Sequence, residues 1–214
     1  MPDRLEVAFA TLESLPAAIG SADAPLVVMP FIDAAMAHRA AQLMARRAGV
    51  EGLLLCVHDT ARIGFVAVAN AVFARSIAPQ FGYVAQDAFA GRRWLGLALE
   101  KLAEKEGGLL AFNDGKWAGV LAAFGLASRD WALGNYGGPL FFSEYQRHYA
   151  DVELTLIAMQ QRKFRFEPLA VLAEIDWEKD GLTVDAADRT LYYRRAQTAF
   201  EGKVTNPQLR RLFK

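Results

Sequence analysis

The sequence predicts an α/β protein with a mostly parallel central sheet flanked by helices, and three observations predict it. The first half alternates short apolar runs with alanine- and leucine-rich stretches. That order of strand, helix, strand, helix, strand, helix builds a parallel sheet. The runs are continuously apolar rather than alternating, as strands buried on both faces are. A carboxylate follows each of them, namely Asp33, Asp59 and Asp87. Sheets of this kind bind ligands outside the carboxyl ends of their strands.

Val27, Val28 and Met29 form the first predicted strand, which ends at Pro30. Asp33 can cap the helix AAMAHRAAQLMARRAG, Arg46 and Arg47 suit its last turn, and Gly49 stops it. Leu53 to Val57 is the next strand, closed by His58 and Asp59, and Thr60 can cap a helix over Ile63 to Ala78. Tyr83 to Ala85 is a third strand, ending at Asp87. A helix over Arg92 to Glu106 puts Trp94, Leu95, Ala98, Leu99 and Leu102 on one face, and Gly107 and Gly108 end it.

The second half is less regular. Leu109 to Phe112 reads as a strand, followed by a turn at Asn113, Asp114 and Gly115. Ser143 and Gln146 have capping-box spacing for a short helix. Asp151 opens a helix ending near Arg162, and Phe164 to Phe166 and Leu169 to Ile175 read as two strands separated by Pro168. The composition shifts after Asp176, which suggests a body over residues 1–176 and a helical extension over 177–214. Asp185 to Lys203 is an arginine-rich helix with a thin apolar stripe of Leu191, Tyr192 and Phe200, suited to packing on the body or on a second copy.

Bulk properties narrow the function classes. Lysine plus arginine and aspartate plus glutamate each total 24, so no net basic charge supports nucleic-acid binding. The one cysteine, Cys56, lies in an apolar run and reads as a buried thiol. A cytoplasmic compartment is expected, with a peripheral position at the inner face of a membrane as its variant. No signal peptide is expected, because Asp3, Arg4 and Glu6 interrupt any apolar core near the start. Uncharged runs such as Trp117 to Ser128 are shorter than the roughly 20 apolar residues a membrane span needs.

Several polar residues admit chemistry. Asp87, at a strand end, can hold a divalent cation between phosphates or cap the next helix. Asp151 and Glu153 follow the aromatic, glycine-bearing NYGGPLFF segment. Either can be a general base or a first-turn acid of the helix. Asp59 can accept hydrogen bonds from a nucleobase or ribose, or close a turn. His38, His58 and His148 show no metal-ligand spacing, and His148, flanked by aromatics, can touch a ligand or the backbone. The glycine fingerprints of P-loop and dinucleotide-binding proteins and the hydrolase nucleophile elbow are missing from the sequence.

The order of these motifs resembles the family 2 glycosyltransferases, which have the GT-A fold, a relative of the Rossmann fold. The matching segments are VVMPFID, LLLCVHD, GFVAVANAVFARS, YVAQDAF with Trp94-Leu95 after it, NYGGPLFFSEYQRHYADVEL and RKFRFEPLAVLAE. Together they span roughly Leu26 to Ile175. The resemblance implies a nucleotide-diphospho-sugar donor contacted by Pro30, Asp59, Asn70, Gln86, Gly137 and Gly138. It implies Asp151 as the catalytic base, supported by Glu153 and His148. It also implies Mg²⁺ or Mn²⁺ held by Asp87 and Glu174, and inverting transfer to an acceptor hydroxyl. That acceptor would be a glycan, a lipid-linked sugar or a small molecule. The chain departs from the family pattern at Gln86, where a second acid is usual, at Ala150, and at Glu174, where a histidine is usual. A nucleotide-sugar-binding protein without transfer is the alternative these departures favour. A nucleotidyltransferase would need a glycine-rich basic loop after the first strand, which PFIDAAMAHRA does not supply.

Overall fold

The structure is a computed structural model that describes residues 3–104, 106–175 and 185–213. The boundary expected between residues 176 and 177 lies outside the described residues. The strands are β1 (Leu5–Thr11), β2 (Leu26–Phe31), β3 (Gly52–His58), β4 (Gln80–Tyr83), β5 (Ala88–Ala90), β6 (Leu109–Asn113), β7 (Gly125–Ser128) and β8 (Phe164–Glu174). The helices are α1 (Ala34–Arg47), α2 (Phe65–Arg75), α3 (Trp94–Ala103), α4 (Arg129–Tyr136), α5 (Ala150–Gln160) and α6 (Ala186–Gln197). A 3₁₀ turn follows at Leu209–Arg211.

The strands form one sheet in the order β1-β3-β2-β4-β7-β6-β8-β5. It is mixed, which corrects the expectation of a mostly parallel sheet. β1, β2, β3 and β4 pair in parallel, as do β6 and β8. β7 runs against both β4 and β6, and β5 runs against β8. The expected strands therefore share one direction, and the reversals come from two strands the sequence does not announce. β5 is AFA and β7 is GLAS, too short and too small in side chain to produce a periodic signal. β1, LEVAFAT, was also not expected, although Leu5, Val7 and Phe9 alternate along it.

Helices cover both faces. Val28, Leu55, Val57, Phe81 and Leu109 point into one core with α2, α5 and α6. Val27, Met29, Leu54, Cys56 and Leu110 point into the other with α1 and α3. Every residue of β2 is buried, as burial on both faces demands. Cys56 is buried as expected, and burial pushes its thiol up to about 12. Asp33 caps α1 by accepting from the Met36 N–H at 2.9 Å.

Four local expectations are corrected. The N-cap of α2 is Gly64 rather than Thr60. The segment around Ser143 and Gln146 is a turn and not a helix, because Asp188 takes up its N–H groups. The two strands expected around Pro168 are one strand, β8. Its pairing to β6 shifts between Phe166 and Val171, and this irregularity accommodates a residue without an N–H. The NYGGPLFF segment begins inside α4, and Gly137, in the left-handed region at φ 73°, ends that helix.

Candidate active site

A cleft of about 890 Å³ opens outside the carboxyl ends of β2, β3 and β4. Pro30 and Phe31 line it from the end of β2, Asp59 from beyond β3, and Ala85 and Gln86 from beyond β4. The opposite wall is the 147–152 segment, containing Arg147, His148 and Asp151. Lys116, Trp117 and Glu174 close one side, and Leu212 and Phe213 reach in from near the end of the chain.

Of the residues singled out in the sequence, the fold brings Pro30, Asp59, Gln86, His148, Asp151 and Glu174 into this cleft. Five others lie outside its lining. Asn70 exchanges two side-chain hydrogen bonds with the backbone of Phe141. Gly137 and Gly138 follow the end of α4. Glu153 is fully buried and meets Arg195 at 2.7 Å. Asp87 precedes β5, and its carbonyl accepts from the Ile175 N–H.

Asp151 sits in the first turn of α5, whose N-cap is Tyr149 in the left-handed region at φ 66°. The cap position therefore belongs to a different residue. Desolvation raises the Asp151 carboxyl to about 7, against hydrogen bonds from its own N–H and that of Val152. The charges of Asp114 and Glu174 add to the rise. A carboxylate poised near neutrality, half-buried in a cleft, is suited to accept a proton from a hydroxyl.

Asp114 was read from sequence as part of a turn. It is fully buried. Oδ1 accepts from the N–H groups of Lys116 and Trp117 at 2.9 and 2.7 Å, which fixes that wall of the cleft. Among the described residues, Oδ2 has no hydrogen-bond partner. An acid at the end of a central strand is the signal that could have drawn attention to it.

Asp59 is 6% exposed, and its two carboxylate oxygens accept from Ile63 and Gly64 at 2.9 Å each. Gly64 is needed where it stands: its φ is 99°, and a Cβ there would lie 2.6 Å from the Gln146 carbonyl oxygen. The Gln86 Oε1 accepts from Ile32 and Asp33, so this side chain braces the loop after β2. Burial pulls the His148 imidazole down despite nearby Asp188 and Asp185, favouring the neutral ring.

The 146–149 segment is held from outside the sheet. Asp188 of α6, 2% exposed, accepts from the N–H groups of Gln146, Arg147 and His148 at 2.9, 2.9 and 2.8 Å. The Gln146 carbonyl in turn accepts from Val66. The Asp188→Ala variant is expected to lose about 2 kcal/mol, because three part-buried backbone donors lose a charged acceptor. Urea unfolding measures the loss. Hydrogen exchange should show faster exchange at residues 146–148, and unchanged exchange there would refute the anchoring role.

The metal question turns on Asp87 and Glu174. Pairing of β5 with β8 sets Ala88 opposite Glu174, so Asp87 follows on directly from that pair. Among the described residues, no three His, Cys, Asp or Glu side chains group closely enough to hold a metal ion. Two acids are by themselves too few for a closed protein cage.

Fold and cleft together define a mixed α/β protein with a cleft outside the carboxyl ends of its parallel strands. A solved structure to which the chain is similar is the mannosyltransferase PcManGT from Pyrobaculum calidifontis in complex with GDP-Man and Mn²⁺. The two are 15% identical with a TM-score of 0.56, over 81% of this chain and 61% of that one. At that identity the likeness is one of fold. The sequence matches no protein-family model, and no curated protein matches it. Among the described residues, no helix is long and apolar enough to cross a membrane.

Proposed function

We propose that this chain is a glycosyltransferase of the family 2, GT-A kind, moving a sugar from a nucleotide-diphospho-sugar to an acceptor hydroxyl with inversion. The observation that carries the reading is Asp151, held in the cleft with its carboxyl raised to about 7. Asp151 takes the acceptor proton as the hydroxyl oxygen attacks the anomeric carbon from the face opposite the leaving diphosphate. Pro30, Asp59 and Gln86 line the end of the cleft assigned to the nucleotide. Asp87 and Glu174 would hold Mg²⁺ or Mn²⁺, which when bound offsets the charge on the departing diphosphate. The fold shared with a transferase in complex with GDP-Man and Mn²⁺ supports this choice of donor and metal.

A nucleotide-sugar-binding protein without transfer is the second reading. It is favoured by the two-acid metal end and by Gln86, whose carbonyl oxygen is taken up by backbone N–H groups. Calorimetry against a panel of nucleotide sugars with Mn²⁺, followed by nucleotide release with sugar acceptors, separates the readings. Binding with release is expected, whereas binding without release would favour the second reading and no binding would sink both. The Asp87→Ala/Glu174→Ala double variant should lose the Mn²⁺ dependence of nucleotide binding. Retained dependence would remove these two residues from the metal site.

A further inference from the structure

Beyond α6 the backbone turns with left-handed geometry. Ala199, Phe200 and Glu201 have φ of 55°, 53° and 59°, and Gly202 follows at 80°. The Gly202 N–H donates to the Thr198 carbonyl at 3.1 Å, closing one turn. Each side chain in that conformation crowds its own backbone, and such strain persists only where the surroundings fix it. Phe200 and Val204 are fully buried, and the Glu201 carboxylate accepts from Arg195 at 2.8 Å. The turn is therefore a firm base that sends residues 205–213 back along α5. Their own attachments are slighter. Residues 205–208 are exposed, and the Asn206 N–H donates to the Gln160 side chain at the end of α5 through a solvent-exposed bond of 3.0 Å. The 3₁₀ turn rests on α5, with Leu209 and Phe213 half-buried against the core. Phe213 lines the cleft and meets Trp117 edge to face, with ring centroids 6.2 Å apart.

A segment with few buried apolar contacts and exposed hydrogen bonds opens at a lower free energy than the fold around it. Trp117 is pinned from behind by the fully buried Asp114, which accepts from its N–H at 2.7 Å. Separation of the two rings therefore has to come from the Phe213 side. We infer that residues 205–213 are a lid on the cleft, anchored at the left-handed turn, and that its opening lifts Phe213 off Trp117 and admits ligand there. Such a lid controls access to the cleft whether or not sugar is transferred in it.

The test uses the full chain without ligand, so its outcome is independent of transfer. Native-state hydrogen exchange should show the amides of Asn206, Arg210, Arg211 and Leu212 opening at least about a hundredfold more often than those of β2 and β3. Phe213→Ala should speed exchange at Asn206 roughly tenfold, because loss of the apolar tip loosens the whole segment. Leu209→Asp places a charge at an anchor that does not line the cleft, which should hold the lid open. With Trp131 and Trp177 replaced by phenylalanine, the remaining tryptophans are Trp117 and the fully buried Trp94, so acrylamide quenching reads Trp117. Quenching should rise in Leu209→Asp while exchange in β2 and β3 stays as in the wild type. Segment exchange as slow as that of the strands would overturn the inference. So would Asn206 exchange unmoved by Phe213→Ala, or Trp117 quenching unmoved by Leu209→Asp.

Discussion

Replacing Asp151 by asparagine is expected to lower sugar transfer by about 10²–10⁴-fold while leaving nucleotide-sugar affinity nearly unchanged. The amide keeps the shape of the side chain and removes its capacity to accept a proton. Initial rates with the acceptor found in the release assay, together with calorimetry on the donor, separate the two effects. Wild-type transfer should fall on the acid side with a midpoint near 7, following a carboxyl raised to about 7. A fully active Asp151→Asn variant would remove this residue from the chemistry.

The same substitution carries a stability signature of opposite sign. The folded protein holds the Asp151 proton more tightly than the unfolded chain does, since burial raises the group from 3.8 to about 7. Below the unfolded value, both states are protonated and the group is neutral in effect. As pH rises between the two values, the unfolded chain ionises first and folded stability declines. Above the upper value the penalty is constant, at most about 4 kcal/mol and less for the water that reaches the cleft. The Asp151→Asn variant should therefore melt above the wild type at pH 8 and level with it near pH 4. A buried ionisable group is a familiar source of such a trade between stability and activity.

Removal of the Arg195 side chain is expected to cost about 3–5 kcal/mol of stability, the largest loss foreseen from a single substitution outside the apolar core. Arg195 is 6% exposed and forms two hydrogen bonds of 2.7 Å to Glu153, which is fully buried. The Tyr145 hydroxyl donates to the same carboxylate at 2.9 Å, and Arg195 also reaches Glu201 at 2.8 Å. Its guanidinium lies 3.3 Å from the centre of the Phe142 ring. Arg195→Ala strands a buried negative charge in the first turn of α5. Arg195→Met with Glu153→Met should recover much of the loss, because no charge is then left unpaired. Urea denaturation of the singles and the double closes the cycle. Equal losses in the single and double variants would show that packing, and not the unpaired charge, governs the cost.

Much of the frame was legible in the chain. β2, β3, β6 and β8 fall where apolar runs lie, β4 meets the strand expected over Tyr83 to Ala85 at Tyr83 alone, and all five share one direction. The helices α1, α2, α3, α5 and α6 lie within or close to their expected bounds, because alanine- and leucine-rich periodicity between turn residues is a strong local signal. The lining of the cleft was legible where a residue stands just beyond a strand or at a helix start, as Asp59, Gln86 and Asp151 do. Asn70 instead bonds the backbone of Phe141, and Gly137 and Gly138 follow the end of α4, which order along the chain does not reveal. Asp114 escaped notice because an Asn-Asp-Gly sequence also spells a turn, and burial alone distinguishes the two.

The sequence by itself determined the alternation of apolar strands and helices and the acids at the strand ends, since both follow from local periodicity. Tertiary structure decided the reversals at β5 and β7, the separation of Asp151 from Glu153, and the attachment of α6 to the cleft wall. Adjacent acids on one helix point in different directions. Asp151 meets the cleft and the charges of Asp114 and Glu174, and Glu153 meets Arg195 across the core. Burial and long-range pairing set those environments, and neither is a property of a residue's neighbours in the chain.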